Sequence, residues 1–476
     1  SQLINQGMQD FWEYTVVSRI GLHSCISGMF HRYSCLLPCV IIETPMGSKT
    51  ISELEVGDEV LTSQGVQKVL ANGVNHHSGE IYKVRMYGFP HPIEVTPDHR
   101  LLTTNGWEEA QYLTTADWMK FPVPQGETSE DFLLSLWADA PPPRVAYPSR
   151  NTGEKNKVNR AEFTRMYQAG MTCQQIADKL GYKSGQAMQR YVTLWGLNRT
   201  HAHAFSQNPV LDPAFWRFIG YWLSDGWVAR KGNKNKEHIG LAVNSETEQY
   251  IVEDVREFLA KYGIPLSIYP DKTDKKVVKM QFSAKQMVAF VKQFGCGAIN
   301  KFLPEWAVTL PTVLAQNLLK GYLAGDGCLG KNEKNGKVQM ARFSSVSLSL
   351  IKGFHRLCLK LGLIASIVGG KIRPNKKESP IQRNYPLYEL RVPIYQATWL
   401  LRNDEEVHVA APRFFELDKE WLSVRIKSIE IEEYEGDVWD ITTPCHDFIS
   451  CGMTVHNCDD FAGYLLDNEP EFDYLR

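Results

Sequence analysis

The two ends of one long stretch of the chain carry side chains that can attack a peptide bond. Cys35 opens the sequence Cys-Leu-Leu-Pro-Cys-Val, and far downstream Asn457 is followed directly by Cys458. A thiolate at position 35 can attack the carbonyl carbon of Ser34 and replace a stable amide with a reactive thioester. The side-chain amide of Asn457 can attack its own backbone carbonyl and break the bond to Cys458. This arrangement predicts a chain that cuts its own backbone at two places.

A second set of chemical groups is duplicated between those ends. The motif Phe-Ile-Gly-Tyr-Trp-Leu-Ser-Asp-Gly, which includes Asp225, recurs as Leu-Lys-Gly-Tyr-Leu-Ala-Gly-Asp-Gly, which includes Asp326. Each copy is followed by a lysine-rich stretch, a strand and an amphipathic helix that ends at a glycine, Gly263 and Gly362 respectively. Repetition of motif, helix and register predicts a duplicated fold.

Composition limits the class of protein. The chain has 476 residues, 43% apolar residues and a net charge of -2, so it is an ordinary globular protein in which any basic surface is local. Its ten cysteines follow no disulfide framework, which favours a reducing compartment. We expect the cytoplasm of a bacterial or phage-infected cell, because no apolar run has the length of a membrane span and no signal peptide is visible. The first residue is Ser1, and we expect a monomeric piece cut from a longer polypeptide.

The pattern of short strands divides the chain. Residues 35–125 alternate short apolar runs with glycine-rich turns, which predicts an all-β unit. Residues 406–457 return to the same kind of sequence, so the simplest architecture is one β domain with a long insertion. Residues 126–157 contain three consecutive prolines, and their last nine residues lack apolar periodicity. This predicts a linker.

The terminal segments resemble the splicing blocks of inteins. The sequence after Ser52, Glu-Leu-Glu-Val-Gly-Asp-Glu-Val-Leu, resembles the stretch that follows the first block in inteins and hedgehog-type domains. Thr96-Pro-Asp-His99 matches their Thr-x-x-His block in order and spacing. The resemblance implies that Cys35 is the first nucleophile, that His99 protonates the departing amide nitrogen and that Thr96 orients it. It also implies that Asp440 lies near Cys35 and tunes its thiol.

The same resemblance assigns the C-terminal steps. Cys458 would take the acyl group from Cys35, and Asn457 would then cyclise and release the insert. His446 and His456 would handle the protons, and an S-to-N shift would restore a peptide bond after Ser34. No cofactor is needed, and the flanking host segments (the exteins) are partners in cis.

A zinc site is the alternative for the C-terminal cysteines and histidines. Cys445, Cys451 and Cys458 are separated by five and six residues, whereas zinc sites usually pair cysteines two to four residues apart. The intein resemblance explains His446 and His456 without a metal, so we favour splicing.

The duplicated motif resembles that of LAGLIDADG homing endonucleases. In that family the two motif helices pack at a pseudo-twofold axis, with small residues such as Gly220 and Gly321 at the contact. The resemblance implies that Asp225 and Asp326 meet and hold Mg²⁺, which clamps the reacting oxygens of a phosphodiester in double-stranded DNA. Lys301, which precedes Phe-Leu-Pro, resembles the family's catalytic lysine.

Both motifs depart from the family consensus. Leu223 and Ala324 replace its first aspartate, which is not the metal ligand. A decayed nuclease, in which the two remaining aspartates only cap their helices, is the structural alternative.

Basic loops between motif and strand favour DNA binding. They occupy parallel places in both repeats, and contacts to phosphates make affinity depend strongly on salt. The residues expected to face phosphates are Lys231, Lys234, Lys236, Lys331, Lys334, Lys337, Lys371, Arg373, Lys376, Lys377 and Arg383.

Residues 158–205 predict a small all-α insert that resembles a helix-turn-helix of the resolvase kind. Thr172 is a natural N-cap for its second helix. Residues 151–200 hold eight Lys and Arg against three Asp and Glu. Gln186, Gln189 and Arg190 would lie on the exposed face of the recognition helix and read base edges. A purely structural three-helix unit is the alternative.

The flanks predict the host. When 35–457 is skipped, Arg32-Tyr-Ser is followed by Cys458-Asp-Asp-Phe-Ala-Gly. With Trp12 upstream, this resembles a segment near the end of the ATPase part of phage large terminase subunits. Ser34 stands where those proteins usually have histidine.

We therefore expect a mainly-β, horseshoe-like Hint splicing domain interrupted by an α+β LAGLIDADG endonuclease and the helix-turn-helix insert. The alternatives are an autoprocessing domain that cleaves without ligation and a DNA-binding regulator with an inactive nuclease. The expected divisions are host 1–34, splicing domain 35–125, linker 126–157, helix-turn-helix 158–205, endonuclease 206–405 with repeats at about 210–305 and 306–405, splicing domain 406–457 and host 458–476.

Overall fold

A computed structural model describes residues 35–138, 158–168, 171–182, 184–195, 205–230, 237–271, 274–372, 384–401, 405–410 and 412–457. Several predictions lie outside these residues: the two host segments, and Cys458, Lys231, Lys234, Lys236, Arg373, Lys376, Lys377 and Arg383. In the part of the chain that is described, no helix is both long and apolar enough to span a membrane.

Strands from both ends of the chain form one antiparallel sheet of eleven strands. The order is β2-β1-β20-β21-β7-β9-β19-β5-β6, with β8 beside β7 and β18 beside β19, while β3 and β4 form a separate hairpin. These strands are β1 (Ile41–Thr44), β2 (Gly47–Thr50), β3 (Glu59–Thr62), β4 (Gly65–Lys68), β5 (Ala71–Met86), β6 (Ile93–Val95), β7 (Arg100–Thr103), β8 (Gly106–Glu109), β9 (Trp118–Pro122), β18 (Phe415–Leu417), β19 (Trp421–Thr442), β20 (Asp447–Ser450) and β21 (Met453–His456). Short 3₁₀ turns occupy Ile51–Glu53 and Ala110–Tyr112.

The register of this β body connects the two ends of the long stretch to β6 and β7, which are consecutive strands. Leu36 pairs with Trp439 on β19 and with Val95 on β6, and Val455 on β21 pairs with Leu101 on β7. Their buried side chains belong to one hydrophobic cluster. The mainly-β prediction is confirmed, and the cluster forms because apolar residues alternate along the strands that face it.

The insert repeats one topology. Its sheets have the orders β10-β11-β13-β12 and β14-β15-β17-β16, which agrees with the duplicated motif. The strands are β10 (Gly226–Arg230), β11 (Glu237–Asn244), β12 (Ser267–Pro270), β13 (Val277–Phe282), β14 (Gly327–Lys331), β15 (Val338–Ser345), β16 (Ser366–Lys371) and β17 (Leu387–Pro393). The helices are α5 (Pro213–Asp225), α6 (Gln249–Lys261), α7 (Lys285–Val291), α8 (Glu305–Val308), α9 (Thr312–Asp326) and α10 (Leu348–Lys360), with 3₁₀ turns at Lys292–Phe294, Ile394–Gln396 and Thr398–Leu400.

The motif helices α5 and α9 pack directly on each other. A methyl group added at Gly220 would overlap the backbone oxygen of Leu318, and one added at Gly321 would overlap the backbone oxygen of Arg217. Glycine at both positions therefore allows the backbones to approach, as expected for helices crossing at small residues.

Three helices form a small separate cluster: α2 (Arg160–Gln168), α3 (Cys173–Lys179) and α4 (Gly185–Leu194). Thr172 caps α3, because its side chain accepts from the backbone N–H of Gln175 and the Gln175 side chain reaches back. Phe163, Ile176 and Met188 are fully buried between the helices.

The predicted linker 126–157 differs from the structure at its start. Helix α1 (Glu130–Ala138) lies there, and Leu133 and Trp137 are buried in the core of the insert. The Trp137 ring meets Phe215 edge to face at 5.8 Å. The linker prediction is therefore wrong for this segment, where Leu133, Leu136 and Trp137 follow helical spacing.

The β body and the second repeat also contact each other. Lys352 on α10 lies 2.5 Å from the Glu43 carboxylate on β1, and both side chains are largely buried. The Phe89 ring packs on His355 at 5.2 Å, and the Ile367 backbone N–H donates to Gly88 at 2.6 Å. These contacts pack the second repeat of the insert against the β body.

Candidate functional sites

Thr96 makes two hydrogen bonds with the backbone of Cys35. The backbone N–H of Cys35 donates to the Thr96 hydroxyl at 2.9 Å, and the Thr96 N–H donates to the Cys35 carbonyl at 3.0 Å. Cys35 is fully buried because its backbone runs into the bridge between β6 and β19. The nitrogen that would leave on cleavage is therefore held by a side chain of the predicted Thr-x-x-His block.

His99 lies in the turn between β6 and β7, and Asp440 lies on β19. His99 is buried, and its N–H donates to the Thr96 carbonyl at 3.1 Å. Asp440 is nearly buried and directly follows Trp439, whose N–H and carbonyl each pair with Leu36 at 2.8 Å. The backbone of His99 is thus hydrogen-bonded to Thr96, which itself contacts Cys35, and Asp440 adjoins the residue that pairs with Leu36.

Asn75 is a functional candidate that the sequence analysis missed. Its side-chain amide donates to the Cys35 sulfur at 3.8 Å, from a place on β5 paired with Val438. The only hint in the sequence is an asparagine inside a strand, where this residue type is depleted.

Asn457, the last residue of the long stretch, is buried as well. Asn457 is 1% exposed, and its N–H donates to the His446 carbonyl at 3.1 Å. Among the described residues, neither polar atom of the Asn457 side chain has a hydrogen-bond partner. Leaving a buried amide unpaired costs about 1–3 kcal/mol. Since the Asn457 side chain has no such hydrogen bond, it can react without first breaking one.

His456 lies against the carbonyl that cyclisation would attack. Its Nδ1 is 2.5 Å from the Asn457 carbonyl oxygen, and its ring meets Trp107 edge to face at 4.9 Å. A donor at this distance can stabilise negative charge on the oxygen. His446 adopts a positive φ of 60°, and its N–H donates to the Thr443 carbonyl at 3.1 Å.

In the insert, Asp225 and Asp326 meet at the C-terminal ends of α5 and α9. A methyl group added at Gly325 would lie 2.6 Å from the Asp225 carboxylate, which shows how closely the two motifs approach. Burial, reinforced by the Asp326 charge, raises the pKa of Asp225 to about 7. Burial also raises the pKa of Asp326, although Lys301 opposes this shift. Glu248 adds a smaller negative potential at both carboxyls.

Lys301 is 4% exposed and caps α5. Its ammonium donates to the carbonyls of Trp222 and Leu223 at 2.9 Å and of Gly226 at 3.0 Å. Burial lowers its pKa to about 8, while both aspartates oppose that shift. The predicted catalytic lysine therefore lies beside the aspartate pair, and in this conformation it neutralises the negative end of a helix.

Asp225 is partly buried and Asp326 is exposed, and two neighbouring carboxylates with raised pKa values are suited to a divalent cation. Mg²⁺ usually takes one or two carboxylates plus water and substrate phosphates. Within the described residues, no group of three His, Cys, Asp or Glu side chains is placed to hold a metal. A cation at Asp225 and Asp326 would complete its coordination with water and DNA.

The described basic residues of the second repeat are exposed in part. Lys331 lies 3.8 Å from Glu405 and Lys337 lies 2.9 Å from Glu406, so phosphates would compete with carboxylates for them. Lys334 and Lys371 are exposed, as are Gln186, Gln189 and Arg190 on α4.

The outward faces of the two insert sheets carry further basic and polar residues that the sequence analysis missed. Arg342 and Arg391 are cross-strand partners on β15 and β17, and Lys279 and Gln281 stand on β13 beside β11. The period-2 alternation of these strands was the available signal.

The β body, with Cys35 and Asn457 near strands of one sheet, has the fold and the residues of a splicing domain. Residues 40–457 match the model of the intein splicing domain, and the chain belongs to this family.

The relatives carry names of unrelated proteins. The chain is 26% identical over 439 residues to the ATP-dependent DNA helicase Hel308 of Thermococcus kodakarensis, covering 89% of this chain and 36% of the helicase. It is 22% identical over 466 residues to translation initiation factor IF-2 of Pyrococcus furiosus, covering 91% of this chain and 40% of that protein. The chain thus spans well under half the length of these relatives.

Solved structures similar to parts of the chain include the homing endonuclease I-DmoI in complex with DNA and Ca. The match has a TM-score of 0.29 and 13% identity, covering 40% of this chain and 91% of that one. The gp41-1 intein matches with a TM-score of 0.18 and 24% identity, covering 19% of this chain and 70% of that one.

Proposed function

We propose that this chain is an autocatalytic splicing element that excises residues 35–457 and joins Ser34 to Cys458, and that its insert is a double-stranded DNA endonuclease. The observation that carries the splicing proposal is the pairing of β7 with β21 through Leu101 and Val455. This pairing brings the strand after His99 next to the strand that ends at His456, with Asn457 following. Cys35 and Asn457 thus both adjoin residues that pair with strands of one sheet.

The first step is attack by the Cys35 thiolate on the Ser34 carbonyl. The C–S bond forms as the C–N bond breaks, and the departing nitrogen takes a proton that we assign to His99. Thr96 holds that nitrogen by its hydrogen bond, and Asn75 stabilises charge on the sulfur. The contribution is mainly proximity, which can supply about 7–11 kcal/mol.

The last cleavage is cyclisation of Asn457. Its Nδ2 bonds to its own carbonyl carbon, the bond to Cys458 breaks, and a proton passes to the departing amine. The His456 Nδ1 donor stabilises the developing oxyanion at 2.5 Å. We assign His446 to the proton transfer and Cys458 to the intervening acyl exchange, after which the S-to-N shift makes the new peptide bond. These steps use groups of the chain alone.

The relatives support an inserted element. A helicase and an initiation factor share no stated activity, yet this chain matches about two fifths or less of each. An element that removes itself can reside in unrelated hosts. The terminase-like host of this chain stays a prediction from its flanks.

The endonuclease proposal rests on the convergence of Asp225, Asp326 and Lys301. The two carboxylates would hold a divalent cation, which when bound polarises a phosphodiester and activates water. Lys301 would balance the charge of the pair. The outward sheet faces with Arg342 and Arg391, together with Lys331, Lys334, Lys337 and Lys371, would contact DNA as a monomer. Salt would weaken that binding.

The exposure of Gln186, Gln189 and Arg190 on α4 favours a helix-turn-helix that adds contacts to the same DNA. A DNA-binding regulator with an inactive nuclease is therefore the second candidate. Digestion of a plasmid carrying the uninterrupted host gene separates them: site-specific double-strand cuts support the nuclease, whereas binding without cutting favours the regulator.

Intact mass measurement after expression of the whole chain tests splicing. Free residues 35–457 together with a ligated flank peptide are expected. Release of a flank without ligation would favour an autoprocessing domain, and an intact chain would refute both.

A further inference from the structure

The turn of the β3–β4 hairpin is hydrogen-bonded to Asp447, the first residue of β20. This contact takes no part in the chemistry proposed above. The Asp447 carboxylate is 6% exposed. One of its oxygens accepts from the Ser63 N–H at 2.8 Å, and the other accepts a short hydrogen bond from the Ser63 hydroxyl. Ser63 lies in the turn between β3 and β4, so one buried charge ties two distant parts of the chain together.

Further hydrogen bonds fix the same turn. The Cys445 N–H donates to the Gln67 side chain on β4 at 3.0 Å. The Thr443 hydroxyl donates to the Asp447 carbonyl at 2.7 Å. Between them His446 holds a positive φ of 60°, a conformation that a residue with a side chain keeps only when its surroundings impose it.

The turn that precedes Asp447 lies beside Asn457 and His456. Asp447 is the cross-strand partner of His456, and the His446 carbonyl accepts from the Asn457 N–H at 3.1 Å. The contact between Ser63 and Asp447 (the clamp) therefore fixes the position of the backbone next to Asn457 and His456. A shift of the turn would move both relative to the bond they act on.

We propose that Ser63 and Asp447 form a positioning pair for cleavage of the bond after Asn457. The inference rests on the proposed splicing function. In cyclisation the Asn457 Nδ2 must approach its own carbonyl carbon while His456 keeps its hydrogen bond to the oxygen. The clamp restricts both to that arrangement and acts through the backbone of His446. It touches neither reacting atom, and it lies away from the Thr96 contact at Cys35.

The pair acts on one cleavage and leaves the other unchanged, so two reporter chains separate its effect. In the whole chain, Cys35→Ala blocks the first step and leaves only release of the C-terminal flank. Asn457→Ala blocks that release and leaves only thiol-induced release of the N-terminal flank. Asp447→Ala, Asp447→Asn and Ser63→Ala are introduced into each, and both rates are measured by intact mass.

In the Cys35→Ala chain, Asp447→Ala slows C-terminal release by about 10- to 100-fold, since a displacement of about 1 Å can cost that much. Ser63→Ala, which removes one of the two hydrogen bonds, has a smaller effect in the same direction. Asp447→Asn keeps an acceptor for the Ser63 N–H and restores most of the rate. In the Asn457→Ala chain, all three variants release the N-terminal flank at the parent rate.

Asp117 supplies a matched control within the same domain. Its carboxylate accepts from both the N–H and the hydroxyl of Thr114 at 2.7 and 2.9 Å, and it lies in another turn. Asp117→Ala leaves C-terminal release unchanged.

Three outcomes overturn the inference. Unchanged C-terminal release in Asp447→Ala and Ser63→Ala refutes it. An equal loss of both releases without rescue by Asp447→Asn shows a role in folding alone. A Cys35→Ala parent that never releases its C-terminal flank, with no thiol-induced release in the Asn457→Ala parent, refutes the splicing proposal itself.

Discussion

The proposed splicing site and the proposed nuclease site differ in the charge of the side chains that they bring together. Around Cys35 and Asn457 the side chains proposed to react are a thiol and an amide, and the Thr96 hydroxyl accepts from the Cys35 N–H. In the insert, two carboxylates, one partly buried and one exposed, lie beside the buried ammonium of Lys301, and the pKa values of all three groups are displaced. The first site is organised by geometry and the second by charge. Substitutions at the first should change rates through position, and those at the second through pH and metal.

The largest effect should come from removing a carboxylate. Asp225→Asn keeps the shape of the side chain and removes a charge that would hold the cation. DNA cleavage is expected to fall by more than about 100-fold, a loss typical of deleting one electrostatic contact in an active site. Plasmid digestion measures it. Splicing followed in the same sample is the control, and a slower splicing reaction would mean that the two sites are not independent.

Thr96→Ala should affect only the N-terminal bond. The variant loses the acceptor for the Cys35 N–H, and thiol-induced release of the N-terminal flank should slow by about 10- to 100-fold. Thr96→Ser keeps a hydroxyl and should recover most of the rate. Equal loss in both variants would argue that packing rather than the hydrogen bond matters.

Asn75→Ala should have a more modest effect on the same step. One hydrogen bond is worth up to about 1.4 kcal/mol, which is tenfold in rate. The rate of thiol-induced release of the N-terminal flank from an Asn457→Ala chain measures this effect, and it should fall by up to about tenfold. Asn72→Ala is the matched control, because Asn72 lies on the same strand and donates to the Leu54 carbonyl at 3.0 Å. The two variants behaving alike would contradict a role for Asn75 at the sulfur.

The buried charges of the insert predict a weak pH dependence of stability. Because the folded pKa of Asp225 is raised to about 7 from 3.8, the folded state binds more protons between those values. The contribution of Asp225 to stability should therefore fall as pH rises from 5 toward 7, whereas buried His355, whose pKa is lowered to about 4, makes an opposite contribution below 6.5. Metal-free thermal unfolding measures this. The melting temperature of the unmodified chain relative to Asp225→Asn should fall by a few degrees over this range, and a difference that rises would show that the assignment is wrong.

The motifs could be recognised in the sequence, but the contacts between distant strands could not be predicted from it. Glycine-punctuated apolar runs predicted the β body, and the repeated motif predicted two similar halves, because these signals are local. Asn75 and Ser63 were missed since their partners, Cys35 and Asp447, are set by tertiary register. Lys301 was found by its motif, but its position as a cap of α5 depends on how the repeats pack. Helix α1 was missed because its short apolar stripe lies beside a proline-rich stretch.

The same reasoning explains the two boundaries that shift. Residues 126–138 join the core of the insert instead of linking it. Val407, placed with the β body by sequence, forms a bridge to Val338 of the second repeat. Sequence composition changes gradually at both points, whereas burial changes within a few residues.

Tandem mass spectrometry across the new junction tests the central claim most directly. After expression of the whole chain, a peptide in which Ser34 is bonded to Cys458 is predicted, together with free residues 35–457 that end in cyclised Asn457. A chain that keeps the bond between Ser34 and Cys35 under the same conditions, in a folded protein, would contradict the account.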